Sequence, residues 1–183
     1  MSHLENSSLN ERFQHILKLM SSNAFLNKEG LGNKVPFFIC PFNVKETVDF
    51  YDAIGKLKNQ LLRKNIAVLE INLYNVVLDI LNERNLFERI IETEKKLDKS
   101  QLMELFQSVL SVEDYIIPKM SKIMKENSFQ ILFITGVGEV FPYIRSHSVL
   151  NNLQKEAKEQ PTVLFFPGIY NANNKTGSTL NLF

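Results

Sequence analysis

Hydrophobic positions change their spacing repeatedly along this chain, and each change marks an element. Leu9, Phe13, Ile16, Leu17 and Met20 recur at helical spacing. "SLNE" just ahead of that stripe has the form of a capping box, with Ser8 as N-cap and Glu11 three residues on. "NKEGLGNK" (27–34) carries two glycines and reads as a loop. "VPFFIC" (35–40) is an unbroken apolar run, the pattern of a strand covered on both faces, with Pro36 near its start and Pro41 ending it. From 44 to about 64, Val48, Tyr51, Ile54, Leu57 and Leu61 trace one helical stripe. "IAVLEINLY" (66–74) predicts a second strand, and a helical stretch follows with a break near Asn85.

Residues 98–127 read as helical throughout. Asp98 is placed to cap, Leu102, Leu105, Phe106 and Val109 form a stripe, and Pro118 should start or kink a helix. "FQILFIT" (129–135) is the third strand, "SHSVLNNLQKEAKEQ" (146–160) a helix, and "TVLFFPG" (162–168) the fourth strand. The tail from 169 is polar and turn-rich, and its pattern assigns no element. Continuous apolar strands separated by helices predict an α/β fold. Its sheet is mainly parallel, of about four or five strands, and helices flank it. One domain spans 1–183, with a helical insertion at about 75–127.

Length and charge narrow the function classes. At 183 residues, the chain buries enough surface to fold without a metal or disulfide, roughly 70% of what the unfolded form exposes. The 21 basic and 20 acidic residues leave a net charge of +1, which gives no general attraction to nucleic acid or to anionic membrane. The single cysteine, Cys40, excludes an internal disulfide. The N-terminus has no basic-then-apolar leader, and no apolar run approaches the ~20 residues of a membrane span. The expected location is the cytoplasm.

The most distinctive stretch is "LFITGVGEVFPYIRSHSVLNNL" (132–153). In open parallel sheets, ligands sit beyond the carboxyl ends of strands, which here carry "CPFNVKET", "TGVGEVFPYIRSH" and "FFPGIY". A phosphate loop needs a run of glycine amides ahead of its Lys and Ser/Thr. Lys45 and Thr47 follow the first strand, but no glycine does, and Pro41 has no N–H. "GVGEV" lacks the third glycine of a dinucleotide fingerprint and puts Glu139 where a phosphate would sit. The layout is thus ATPase-like without a phosphate-binding loop.

Cys40 ends an apolar strand, where a buried, inert thiol is usual. His3, His15 and His147 with one cysteine have no metal-ligand spacing, so no metal and no cofactor are expected. Glu139 and His147 as acid and base compete with the plainer reading of helix capping and a bond to Arg145. Arg145 precedes a helix N-terminus, where positive charge is disfavoured. It either pairs with Glu139 across the loop or faces a partner. Phe141, Pro142 and Tyr143 beside it give an aromatic knuckle. Aromatics with an arginine are the usual composition of an interface hot spot, although the two rings could equally seal the core. Asn151 and Asn152 lie within the helix, where Asn is mildly unfavourable.

"GLGNKVPFFICPF", "VLEINLY", "LFITGVGEVFPYIRSHSVLNNLQ" and the "PTVLFFPG" segment with Tyr170 together resemble the BrxB family of BREX (bacteriophage exclusion) systems, from about Phe13 to Phe183. The resemblance implies a role in phage defence beside a large ATPase, a DNA methyltransferase and PglZ, an alkaline-phosphatase-like protein. It implies an interaction subunit and carries over no catalytic residue. PglZ is the expected direct partner and the large ATPase a second candidate, with no membrane and no strong direct nucleic-acid binding. The family-characteristic residues are Gly136, Gly138, Glu139, Pro142, Arg145, His147, Asn151, Asn152, Pro167, Gly168 and Tyr170. With Phe141 and Tyr143 they form the predicted partner-binding set. A member is expected to run on shortly past "LNLF", whereas this sequence stops at Phe183. The alternative is a nucleotide-binding regulator on a degenerate ATPase-like fold, without hydrolysis.

Overall fold

The computed structural model of the chain describes residues 8–29, 36–173 and 177–181. Helices α1 (Leu9–Met20) and α2 (Asn23–Leu26) lead into β1 (Phe37–Phe42), a single 3-10 turn (Val44–Glu46) and α3 (Thr47–Arg63). β2 (Val68–Asn72) passes directly into α4 (Leu73–Glu83), followed by α5 (Phe87–Glu94) and α6 (Lys99–Val109). A π-helical turn (Val112–Ile116) runs into α7 (Ile117–Glu126), and then come β3 (Ile131–Thr135), α8 (Ser146–Leu153) and β4 (Thr162–Pro167). Four parallel strands form one sheet in the order β1-β4-β3-β2, flanked by helices, so the α/β expectation holds. The unassigned tail is an antiparallel pair, β5 (Ile169–Asn173) with β6 (Gly177–Asn181).

The chain divides into two compact units. One comprises Met1–Leu69, Ser128–Phe133 and Glu159–Phe183, and the other Glu70–Asn127 and Ile134–Lys158. In the first, Phe13 and Met20 of α1, Phe50, Ile54, Leu57 and Leu61 of α3, and Phe42, Phe133 and Phe165 of the strands form one buried cluster. Its centre is aromatic. The Phe50 ring stacks on Phe42 at 4.1 Å and meets Phe13 and Phe165 edge-on at 5.1 and 5.8 Å. Arg12 of α1 donates to Glu46, which ties α1 to the turn ahead of α3.

In the second unit, local chemistry sets the helix limits. Asp98 accepts the N–H groups of Ser100 and Gln101, and the Gln101 side chain returns to the Asp98 N–H, as the capping position predicts. These bonds, the Gln101 backbone first, hold the Asp98 carboxyl below its ordinary pKa. Asn85 takes φ 55° and stops the helical path where the break is predicted. Arg84 donates to the Val109 carbonyl and lies 3.9 Å over the Tyr115 ring, fastening the end of α4 to the π-turn. Lys119 pairs with Glu83 alongside.

Several expectations need correction. β1 is an edge strand, only partly covered along Phe37–Cys40. It continues through Pro41, which pairs in register with Phe166, because an edge strand tolerates a missing donor. Val35 and most of the predicted 27–34 loop lie outside the described residues. Val48 does not belong to the buried stripe of α3. Phe50 takes that place: it stands four residues before Ile54, about 40° away around the helix, whereas Val48 stands six before it, about 120° away. α8 ends at Leu153 and not near Gln160, with turns over 154–156.

Among the described residues, no helix is long and apolar enough to cross a membrane.

Candidate functional site

The segment after β3 lies within the second unit. Its course is fixed first by Gly136, at φ 74°, a conformation L side chains rarely adopt. A Cβ there would stand 2.5 Å from Asn72 Oδ1 and 3.0 Å from the Leu73 nitrogen. Asn72 ends β2, and its side chain accepts the Asn75 N–H at the start of α4. One glycine therefore lets the loop press against a strand-to-helix junction. Thr135, fully buried, donates its hydroxyl to Glu70 of β2 at 2.9 Å.

Beyond Gly136 the loop alternates between anchors and exposed groups. Val137, Val140 and Ile144 are buried, and the Ile144 N–H bonds to the Val140 carbonyl at 3.0 Å. Glu139, Phe141, Arg145, His147 and Asn151 are exposed, with Gly138 and Pro142 between the two states. The Phe141–Pro142 peptide is cis. Phe141 is 44% exposed, a large apolar ring left facing solvent. Arg145 occupies the N-cap position of α8 and makes no side-chain cap bond. His147 and Asn151 stand one helical turn apart on the exposed side of α8, opposite buried Val149 and Leu153, with buried Leu150 at the margin.

The predicted set thus sorts into two roles. Tyr143 packs its ring 4.4 Å from Phe106 of α6, so it secures the loop. The Asn152 side chain donates to the Ser148 carbonyl within its own helix. Pro167 and Gly168 belong to the first unit. Pro167 pairs with Phe42, and Gly168, at φ 142°, donates its N–H to the Phe42 carbonyl. The Tyr170 side chain lies outside the described part. The sequence missed Phe106 as the support of Tyr143, although the apolar stripe of α6 signals it.

Chemistry elsewhere is muted. Cys40 packs against the aromatic cluster of the first unit. The residue is partly exposed at the sheet edge, yet crowding around its thiol pushes the pKa from 9.0 up to about 12, against the smaller pull of Arg12. The native thiol should then react far more slowly with iodoacetamide at pH 8 than after unfolding in urea. Equal rates, read by mass spectrometry, would contradict the burial. Above pH ~9 the unfolded thiol ionises while the folded one stays protonated, so this group lowers stability as pH rises towards 12.

A cleft of about 330 Å³ opens between α1 and α3, lined by Phe13, Asp49, Asp52, Lys56 and Leu57 among others, and none of the predicted site residues lines it. After β1, the Lys45 and Glu46 N–H groups are taken by the Asn43 side chain and carbonyl at 3.0 and 2.9 Å, so they do not form an amide cradle. No group of His, Cys, Asp and Glu among the described residues could hold a metal ion.

Residues 69–183 match the family described as BREX protein BrxB. The chain belongs to the BrxB family. A BREX protein BrxB from Bacillus cereus (strain H3081.97) is 33% identical over 166 residues, covering 88% of this chain and 85% of the relative. One from Escherichia coli O9:H4 (strain HS) is 26% identical over 169 residues, covering 91% and 82%. No solved structure matches. The matched region includes the whole exposed loop and α8.

Proposed function

We propose that this chain, a BrxB of a BREX phage-defence system, is a non-enzymatic assembly subunit that binds the PglZ component. The supporting observation is the division of labour in 136–152. Val137, Val140 and Ile144 hold the loop from below, while Glu139, Phe141, Arg145, His147 and Asn151 face outward. An exposed aromatic with an arginine one loop away is the residue composition of a binding hot spot. The Arg145 carbonyl accepts the Ser148 and Val149 N–H groups, but its side chain makes no cap bond, and a cation at a helix N-terminus opposes the backbone dipole. That placement is better explained by a binding role than by folding.

The test is co-elution of the purified chain with its system's PglZ on a sizing column with light scattering. A stoichiometric complex is expected. Phe141→Ala and Arg145→Ala should each weaken it while changing folding stability by less than about 0.5 kcal/mol. A complex indifferent to both substitutions would remove this loop as the docking surface. No complex well above micromolar concentration would remove PglZ.

A further inference from the structure

The outward face of α3 carries the two most exposed large hydrophobic residues among those described, Val48 at 77% and Leu62 at 64%. They are fourteen residues apart, and Gly55 stands midway between them. A repeat of seven drifts by only about 20° around a helix, so Val48, Gly55 and Leu62 form one line about 21 Å long. Gly55 needs explaining on its own. It lies inside a seventeen-residue helix, where glycine is the poorest former after proline, and a Cβ on it would meet nothing within 4 Å. Nothing among the described residues requires its small size. A second backbone approaching from outside would.

We infer that this face of α3 is a self-association surface, on which a second copy of the chain packs antiparallel with the two helices crossing at Gly55. The spacing is self-complementary. A two-fold axis at Gly55 lays Val48 of each copy against Leu62 of the other, which is what an isologous contact demands. The charges choose the direction. Asp49 and Asp52 occupy the N-terminal half of α3, and Lys58 and Arg63 the C-terminal half. Antiparallel packing sets the acidic half of each copy against the basic half of the other. It brings Asp49 opposite Arg63 on one flank, whereas a parallel pair would put like charges together. Lys56 lies mid-helix on that same flank, near its own symmetry mate, which keeps the association modest. The surface is separate from 136–152 and does not rest on the function proposed above.

Sedimentation equilibrium of the full chain, from low micromolar to several hundred micromolar, tests this. The mass is expected to rise from 21.2 kDa towards twice that value. Val48→Asp combined with Leu62→Asp should stay monomeric with an unchanged melting curve. Gly55→Ala should melt higher, as alanine is the better helix former, and yet dimerise at least about tenfold more weakly because a methyl group separates the crossing helices. Asp49→Arg should weaken the dimer, and adding Arg63→Asp should restore it. A wild-type chain that stays monomeric throughout overturns the proposal and leaves the face to a helix of another protein. A dimer that survives the double aspartate substitution overturns it as well. Failure of the charge swap to restore association overturns the antiparallel register.

Discussion

Phe50→Ala is expected to cost about 3–5 kcal/mol, a large share of the roughly 5–15 kcal/mol that holds a domain folded. The ring is 2% exposed and touches three other rings from three different elements: Phe13 of α1, Phe42 of β1 and Phe165 of β4. Truncation removes the transfer free energy of the ring and leaves a void. Phe13, Phe42 and Phe165 are each fixed by their own helix or strand, which limits how far they can close it. Phe50→Leu keeps most of the volume and should cost less. Urea unfolding followed by far-ultraviolet circular dichroism reads both. A loss below about 1 kcal/mol for the alanine variant would mean that the four rings do not form a packed cluster.

Gly136→Ala is expected to cost about 2–4 kcal/mol through backbone and contact effects together. A non-glycine residue at φ 74° loses about 1–2 kcal/mol. The added methyl also collides with Asn72, whose side chain caps α4, and a lost cap is worth about 1 kcal/mol. The two contributions can be separated. Asn72→Ala removes the cap but opens the space, so the double variant should be less destabilised than the sum of the single ones. Strict additivity would show that the methyl never reaches Asn72. Because Gly136 launches the loop bearing Phe141 and Arg145, the alanine variant should also bind the partner poorly. That separates it from Arg145→Ala, which spares stability.

Features resting on neighbours in sequence were the ones legible in advance. The capping box at Ser8–Glu11 and the N-cap at Asp98 involve residues two or three apart, and both form, Asp98 with the return bond from Gln101 as well. The break at Asn85, the turn after Thr135 and the parallel strand-helix alternation are of the same local kind. What failed depended on distant partners. Whether "VPFFIC" is central or at an edge is decided by a strand more than a hundred residues later, so neither the exposure of β1 nor the tolerance of Pro41 within it could be read locally. Val48 carries the same apolar side chain whether a core or a solvent-facing turn receives it. Within 136–152, composition named the residues without saying which face inward. The structure shows Tyr143 against Phe106 and Phe141 outward, where the sequence left the two equivalent.

The strand order has a consequence for synthesis. β1 is an edge strand whose partner in the sheet is β4, with Phe37 opposite Thr162 in the register. A ribosome adding about 5–20 residues each second releases β1 many seconds before the strand it must pair with. During that interval the apolar side of α3 and the rings of Phe42 and Phe50 have no Phe165 to close over them. The segment forming the second unit emerges in between. The nascent chain therefore carries its most aromatic surface uncovered through most of translation. A ribosome stalled before Thr162 leaves that surface without its β4 cover.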